Sequence, residues 1–144
     1  MNHLSLFIEL TRLKKPIGFM LLFWPCLWGL TTVYDFNLGL INYFFYSFLF
    51  LAGSILMRSA GCIVNDIVDE NFDKKVERTK DRPIASNKVS KKIAAFYALI
   101  LCAIAFLVLI NFNKFTIYMA IASMPLAFTS VSYTHLTLPT NREV

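Results

Sequence analysis

The sequence predicts an all-α protein, a multi-pass transmembrane helical bundle. Of its 144 residues, 57% are hydrophobic and 16% are charged, and the mean hydropathy is +0.58. The apolar residues form four long blocks, as expected of membrane-spanning helices, which need about 20 residues each. Eleven of the fourteen Lys and Arg residues lie in two patches that two of these blocks separate. Such spacing places both patches on the cytoplasmic or matrix side of a membrane and argues against nucleic-acid binding.

Four spans are predicted within residues 17–131, which we take as the transmembrane domain. Their ranges are 17–33, 41–64, 93–110 and 115–131. Pro25 lies inside the first span and is expected to kink it. Residues 1–16 form an amphipathic lead that we expect to lie along the membrane surface. Ser90 is predicted to cap the N-terminus of the third span.

The two remaining segments differ from these spans in composition. The loop 65–92 is highly charged and is expected to form the site on the cytoplasmic or matrix side. Residues 132–144 are polar and lack helical periodicity. They resemble translated adapter or vector read-through, so we expect a non-native tail that replaces the natural continuation of the chain.

Three oxygen-bearing side chains open the charged loop at helical spacing. Asn65, Asp69 and Asp73 are four residues apart, so on a helix they share one face over about 12 Å. Arg58 precedes Asn65 by seven residues and Asp69 by eleven, and both offsets return to nearly the same face. Carboxylates at the end of a membrane helix are costly unless they are hydrated, paired or bound to a cation.

This pattern fits Mg²⁺, which binds one or two carboxylates together with substrate phosphates and water. Arg58, Arg78 and Arg82 lie near enough in sequence to bind the oxygens of a diphosphate. At a membrane surface, a diphosphate with an apolar tail would be a polyprenyl diphosphate. Two alternatives remain open: a solvated loop in which acids and bases merely pair, and an ion pathway of a transporter. A Ca²⁺ loop is disfavoured because the EF-hand spacing and its glycine are absent.

The sequence resembles the UbiA family of membrane prenyltransferases, and within it the 4-hydroxybenzoate polyprenyltransferase type. Three stretches carry the resemblance: Arg12 to Gly18 with Phe23-Trp24-Pro25, Met57 to Asp66 continuing through Asp69 and Asp73, and Arg78 to Ile84. The combination of Asn-Asp-x-x-Asp-x-x-x-Asp with Arg-Thr-x-x-Arg-Pro is highly specific.

The resemblance implies an enzyme with about nine transmembrane helices, in which two aspartate-rich motifs hold Mg²⁺ and the diphosphate. Asn65, Asp69 and Asp73 match the first motif, as catalytic and metal-binding residues. The substrate-binding residues that it implies are Arg58, Asp66, Arg78, Arg82 and Lys15. The implied reaction transfers a polyprenyl group to 4-hydroxybenzoate in ubiquinone biosynthesis, in the inner membrane of a bacterium or a mitochondrion.

The second aspartate motif of the family does not follow the fourth span. We therefore expect four of the nine helices and an enzyme that is truncated and inactive alone. Two alternatives remain, namely another UbiA-type prenyltransferase of quinone, haem or chlorophyll pathways, and a non-enzymatic transporter or scaffold subunit.

Overall fold

In the part of the chain that the computed structural model describes, residues 3–136, all regular secondary structure is helical and no strand occurs. Its α-helices are α1 (His3–Thr11), α2 (Ile17–Val33), α3 (Leu40–Val68), α4 (Glu70–Asp73), α5 (Lys91–Leu109) and α6 (Lys114–Leu136). A short 3₁₀ helix, Phe36–Leu38, joins α2 to α3. The all-α prediction is therefore confirmed, and each predicted span overlaps one helix.

The chain divides into two compact units. The first comprises the described residues up to Leu109, and the second begins at Ile110 and contains α6. α6 runs to Leu136, five residues past the predicted end of the fourth span at Val131. Residues 137–144 of the expected non-native tail lie outside the described residues.

α3 is the central element of the first unit, and α1, α2 and α5 all pack against it. Small residues make close packing possible because they let helix backbones approach. Ala60 of α3 and Ala94 and Ala98 of α5 are buried in one apolar cluster with Ile63. This packing holds the C-terminal end of α3, where the predicted site begins, against the start of α5.

α1 is part of this packed unit. Leu10 is fully buried in the same cluster as Ile63, and Phe7 makes an edge-to-face ring contact with Tyr97 of α5 at 5.5 Å. The prediction that residues 1–16 form a lead along the membrane surface did not include this packing. The physical reason for this packing is that α3 and α5 cover the apolar side of the nine-residue helix α1.

The charged loop between α4 and α5 is folded onto the helices rather than extended into solvent. Ile84, Ala85 and Val89 are buried, and the Val89 amide donates to the Pro83 carbonyl at 3.1 Å. The Ser90 hydroxyl accepts from the Ile93 amide at 3.4 Å, which confirms the predicted cap of α5. The cationic residues of the loop are therefore held on an ordered scaffold.

Two helices of the described residues, α3 and α5, are long and apolar enough to cross a membrane, judged by length and composition. α2 is also apolar but has only 17 residues, and Pro25 lies inside it. Two candidate spans are consistent with the predicted multi-pass membrane bundle, while α2 and α6 as further spans stay predictions.

Candidate active site

The C-terminal end of α3 and the short helix α4 present the three predicted metal ligands about one helical turn apart. The Asp69 amide donates to the Asn65 carbonyl at 2.8 Å, and the Asp73 amide donates to the Asp69 carbonyl at 2.8 Å. The regular helix is interrupted at Asp69, yet the φ of −82° and ψ of 0° of this residue keep the chain turning. The spacing predicted from the sequence therefore survives the break between α3 and α4.

A network of two arginines and two aspartates lies beside this helix end. Arg82 donates through Nη1 to Asp73 Oδ2 at 2.7 Å and to Asp66 Oδ1 at 3.2 Å. Arg12 donates through Nη2 to the same Asp66 oxygen at 2.5 Å. Asp66 is 2% exposed and Asp73 is 7% exposed, so both carboxylates are desolvated and the guanidinium groups compensate their charge.

A cavity of about 960 Å³ opens next to the network. Six cationic residues line it: Arg12, Lys14, Lys15, Arg58, Arg78 and Arg82. Three acidic residues, Glu9, Asp66 and Asp81, also line it, so the lining side chains carry a net charge of +3. All five predicted substrate-binding residues belong to this wall. Such a cavity favours an anion that carries several negative charges.

The predicted metal ligands themselves are not among the residues of the cavity wall. Asn65 and Asp69 do not line it, and Asp73 reaches the wall through its ion pair with Arg82. From α3, the residues at the cavity are Arg58, Ser59 and Asp66. Arg58 thus shares the cavity with Asp66 rather than with Asn65, the partner suggested by helical offsets, because a long side chain can reach beyond its own face.

The place of Arg58 depends on a glycine of α2. A Cβ atom on Gly18 would stand 2.8 Å from Nε of Arg58, closer than atoms can approach. Gly18 therefore leaves the space in which the guanidinium lies beside the cavity. No role for this glycine was predicted from the sequence, although it lies in the stretch from Arg12 to Gly18 that carries the family resemblance.

Arg12 is a further residue of the site; sequence reasoning placed it in the first basic patch and in the stretch of family resemblance, but gave it no role in the site. Its backbone has a φ of +53°, in the left-handed region that glycine usually occupies after a helix. Its side chain reaches from the α1–α2 turn to the buried Asp66. The signal in the sequence was its position in the first basic patch, which did not identify its partner.

Other ion pairs of the loop fit the alternative of acids and bases that merely pair. Glu70 is paired with Lys74 and, at 2.5 Å, with Lys91, while Glu77 is paired with Lys80. The Glu77 and Lys80 side chains are 88% and 48% exposed, so that pair contributes little. Pairing of this kind accounts for the loop surface but not for the cationic wall of the cavity.

The donor chemistry of the helix end fits Mg²⁺, because Asn65, Asp69 and Asp73 offer amide and carboxylate oxygens. Among the described residues, however, no three His, Cys, Asp or Glu side chains converge to hold a metal ion. Mg²⁺ commonly takes several of its ligands from water and phosphate oxygens.

Comparison with known proteins identifies the family of this chain. Residues 22–142 match the UbiA prenyltransferase family. The chain belongs to this family. The UbiA match includes α3, the charged loop and the cationic residues Arg58, Arg78 and Arg82, whereas α1 and the α1–α2 turn precede it.

Curated relatives of the chain carry a more specific name. The chain is 42% identical over 133 residues to the 4-hydroxybenzoate octaprenyltransferase of Methylobacillus flagellatus. The aligned region covers 92% of this chain and 42% of the relative. It is 44% identical over 129 residues to the same-named protein of Janthinobacterium sp., covering 90% of this chain and 44% of the relative. The chain thus spans less than half the length of these UbiA relatives. No solved structure matches it significantly.

Proposed function

We propose that the chain is the part of a Mg²⁺-dependent 4-hydroxybenzoate polyprenyltransferase that binds the diphosphate of the polyprenyl donor. The observation that carries this proposal is the cavity in which Lys15, Arg58, Arg78 and Arg82 meet beside the ends of α3 and α4. A wall with a net charge of +3 complements a diphosphate, and the apolar helices next to it suit a polyprenyl chain. The names of the relatives supply the acceptor, 4-hydroxybenzoate.

The arginines and the oxygen-bearing side chains of the site have different roles, which follow from their chemistry. Arg58, Arg78 and Arg82 bind the diphosphate oxygens, with guanidinium groups that can each form two parallel hydrogen bonds. When bound to Asn65, Asp69 and Asp73, Mg²⁺ would neutralise charge on the diphosphate. The same cationic groups stabilise the leaving diphosphate as the allylic C–O bond breaks, because negative charge grows on it there.

We propose that the site faces the cytoplasmic or matrix side of an inner membrane. This side is supported by the two basic patches, at the α1–α2 turn and in the loop between α4 and α5. Both patches contribute to the same cavity, as Lys15 and Arg82 illustrate. The 4-hydroxybenzoate acceptor and the polyprenyl donor would meet where the bilayer borders this cavity.

The test is binding of farnesyl diphosphate to the purified chain in detergent, measured by calorimetry with Mg²⁺ and with a chelator. We expect binding that requires Mg²⁺ and falls at least tenfold in Asp69→Asn, which keeps the shape of the side chain but removes its charge. Glu77→Gln is the matched control, because Glu77 is an exposed acidic residue of the same segment. Equal binding with and without Mg²⁺, or equal loss in both variants, would contradict the proposal.

Turnover is a separate expectation. With labelled 4-hydroxybenzoate, we expect no prenyl transfer by the 144-residue polypeptide alone, since its relatives are more than twice as long. The UbiA membership favours a transferase over a transporter or scaffold subunit. Prenyl transfer by the isolated chain would show that the described site is sufficient for catalysis.

A further inference from the structure

Asp66 lies at the junction of three segments of the first unit. It belongs to α3, its partner Arg12 belongs to the turn between α1 and α2, and its partner Arg82 belongs to the loop after α4. Both arginines donate to the same oxygen, Oδ1, at 2.5 Å and 3.2 Å. A single carboxylate therefore pairs with two arginines that are 54 and 16 residues away from it in sequence, and so connects three segments of the chain.

The Asp66 side chain is poorly suited to bind the substrate directly. Asp66 is 2% exposed, and its negative charge would repel a diphosphate. Its two partners, by contrast, line the cavity and are only partly buried, with side chains 33% and 27% exposed. The carboxylate is thus almost completely buried by its contacts, while the guanidinium groups that it holds remain accessible from the cavity.

The backbone at Arg12 indicates that its side chain matters. The residue adopts a φ of +53° just after α1, where glycine would avoid the steric cost that other residues meet. An arginine in this conformation is supported by its short ion pair with Asp66. Loss of that pair leaves the α1–α2 turn with an unfavourable conformation and one contact fewer.

The loop is held by the same carboxylate. Arg82 lies between Asp66 and Asp73, and the buried Thr79 hydroxyl donates to the Asp73 carbonyl at 3.2 Å. Removing the Asp66 charge leaves Arg82 with one carboxylate instead of two. The guanidinium is then free to turn toward Asp73 alone and away from the cavity wall.

We propose that Asp66 is a positioning residue, which clamps Arg12 and Arg82 together and so fixes the cationic wall of the cavity across the α1–α2 turn and the loop. The clamp itself is independent of the proposed function. Only the effect of the clamp on ligand binding rests on the proposed function. It assigns to Asp66 a role through two arginines rather than a contact with substrate.

The experiment combines hydrogen exchange with binding of inorganic pyrophosphate, on the full chain in detergent micelles. In Asp66→Asn, we expect faster amide exchange in peptides that cover residues 5–15 and 78–86, and at least tenfold weaker pyrophosphate binding. Glu77→Gln should leave both unchanged, since its exposed ion pair with Lys80 lies outside the cavity. Exchange that stays at the wild-type rate in both segments would overturn the proposal.

Two further variants distinguish a clamp from general support of the fold. Asp66→Glu keeps the carboxylate that pairs with both arginines, so exchange and affinity should recover to within about threefold of the wild type. Arg12→Gly suits the left-handed backbone but removes the guanidinium, so pyrophosphate binding should still weaken. No rescue by Asp66→Glu, or faster exchange spread equally over α5, would mean that Asp66 only supports packing.

The two hypotheses fail in different ways. If the wild-type chain does not bind pyrophosphate at all, the proposed function is contradicted, and the exchange rates of the two segments still decide the clamp. If the wild type binds pyrophosphate while Asp66→Asn exchanges and binds as the wild type does, the clamp is wrong and the proposed function stands.

Discussion

Gly18 and Arg58 show how a residue without a side chain can determine the position of a cationic one. Helical offsets direct attention to Arg58 and to its face of α3, but they do not show what lies opposite. In the structure, α2 approaches so closely that only glycine leaves room for the guanidinium beside the cavity. The contact depends on steric fit alone, since glycine has no side chain with which Arg58 could form an ion pair.

Gly18→Ala should therefore displace Arg58 without unfolding the chain. The added Cβ would stand 2.8 Å from Nε, and the flexible end of the side chain can move away at little cost. We expect pyrophosphate affinity to fall about tenfold, or about 1.4 kcal/mol, with little change in the melting temperature.

Gly29→Ala in the same helix is the matched control, because a Cβ there meets nothing within 4 Å. That variant should keep its affinity and gain slightly in helix stability. A Gly18→Ala variant that binds as well as Gly29→Ala would show that Arg58 does not contribute to the binding wall.

Among the elements, α1 illustrates what sequence periodicity misses. Its amphipathic sequence suggests a helix at the membrane surface, whereas Leu10 is fully buried in one cluster with Ile63 of α3 and the loop residue Ile84. α1 therefore stabilises the loop that carries Arg78 and Arg82 and does more than lead into the first span.

Leu10→Ala should lower the free energy of unfolding by about 3 kcal/mol, because it removes apolar contacts and leaves a cavity. Leu38→Ala is the control, since Leu38 is 63% exposed in the 3₁₀ helix and the same deletion there should cost far less. Thermal unfolding in detergent, followed by circular dichroism, measures both. Equal melting temperatures for the two variants would contradict the packed position of α1.

Much of this fold was predictable because long apolar blocks and a capping serine act locally. The four helices at the predicted spans and the Ser90 cap follow from such signals. The turn spacing of Asn65, Asp69 and Asp73 also follows from sequence alone. The ion pair of Arg12 with Asp66 does not, because contacts between residues 54 positions apart depend on how helices pack.

At the scale of the whole molecule, the exposed apolar surface is what a membrane would cover. In the described part of the chain, α2 has no buried residue, and Trp24 and Trp28 are 48% and 67% exposed. In water such a surface would drive association, whereas lipid chains solvate it.

Reconstitution with brominated lipids tests this membrane contact directly. Bromine on the acyl chains should quench the fluorescence of Trp24 and Trp28, which are the two tryptophans of the chain. Single Trp→Phe variants would report each position separately, and we expect quenching at both. Fluorescence that the brominated lipids leave unchanged would show that protein rather than lipid covers α2.

The central claim is that the cationic cavity binds the diphosphate of a prenyl donor. The most direct measurement is photo-cross-linking with a prenyl diphosphate that carries a diazirine next to its headgroup, followed by mass spectrometry. We expect labels in the segments 8–21, 58–59 and 78–83, which contain most of the residues that line the cavity, and their loss on competition with pyrophosphate. Labels confined to other segments, or labels that pyrophosphate does not displace, would contradict the account.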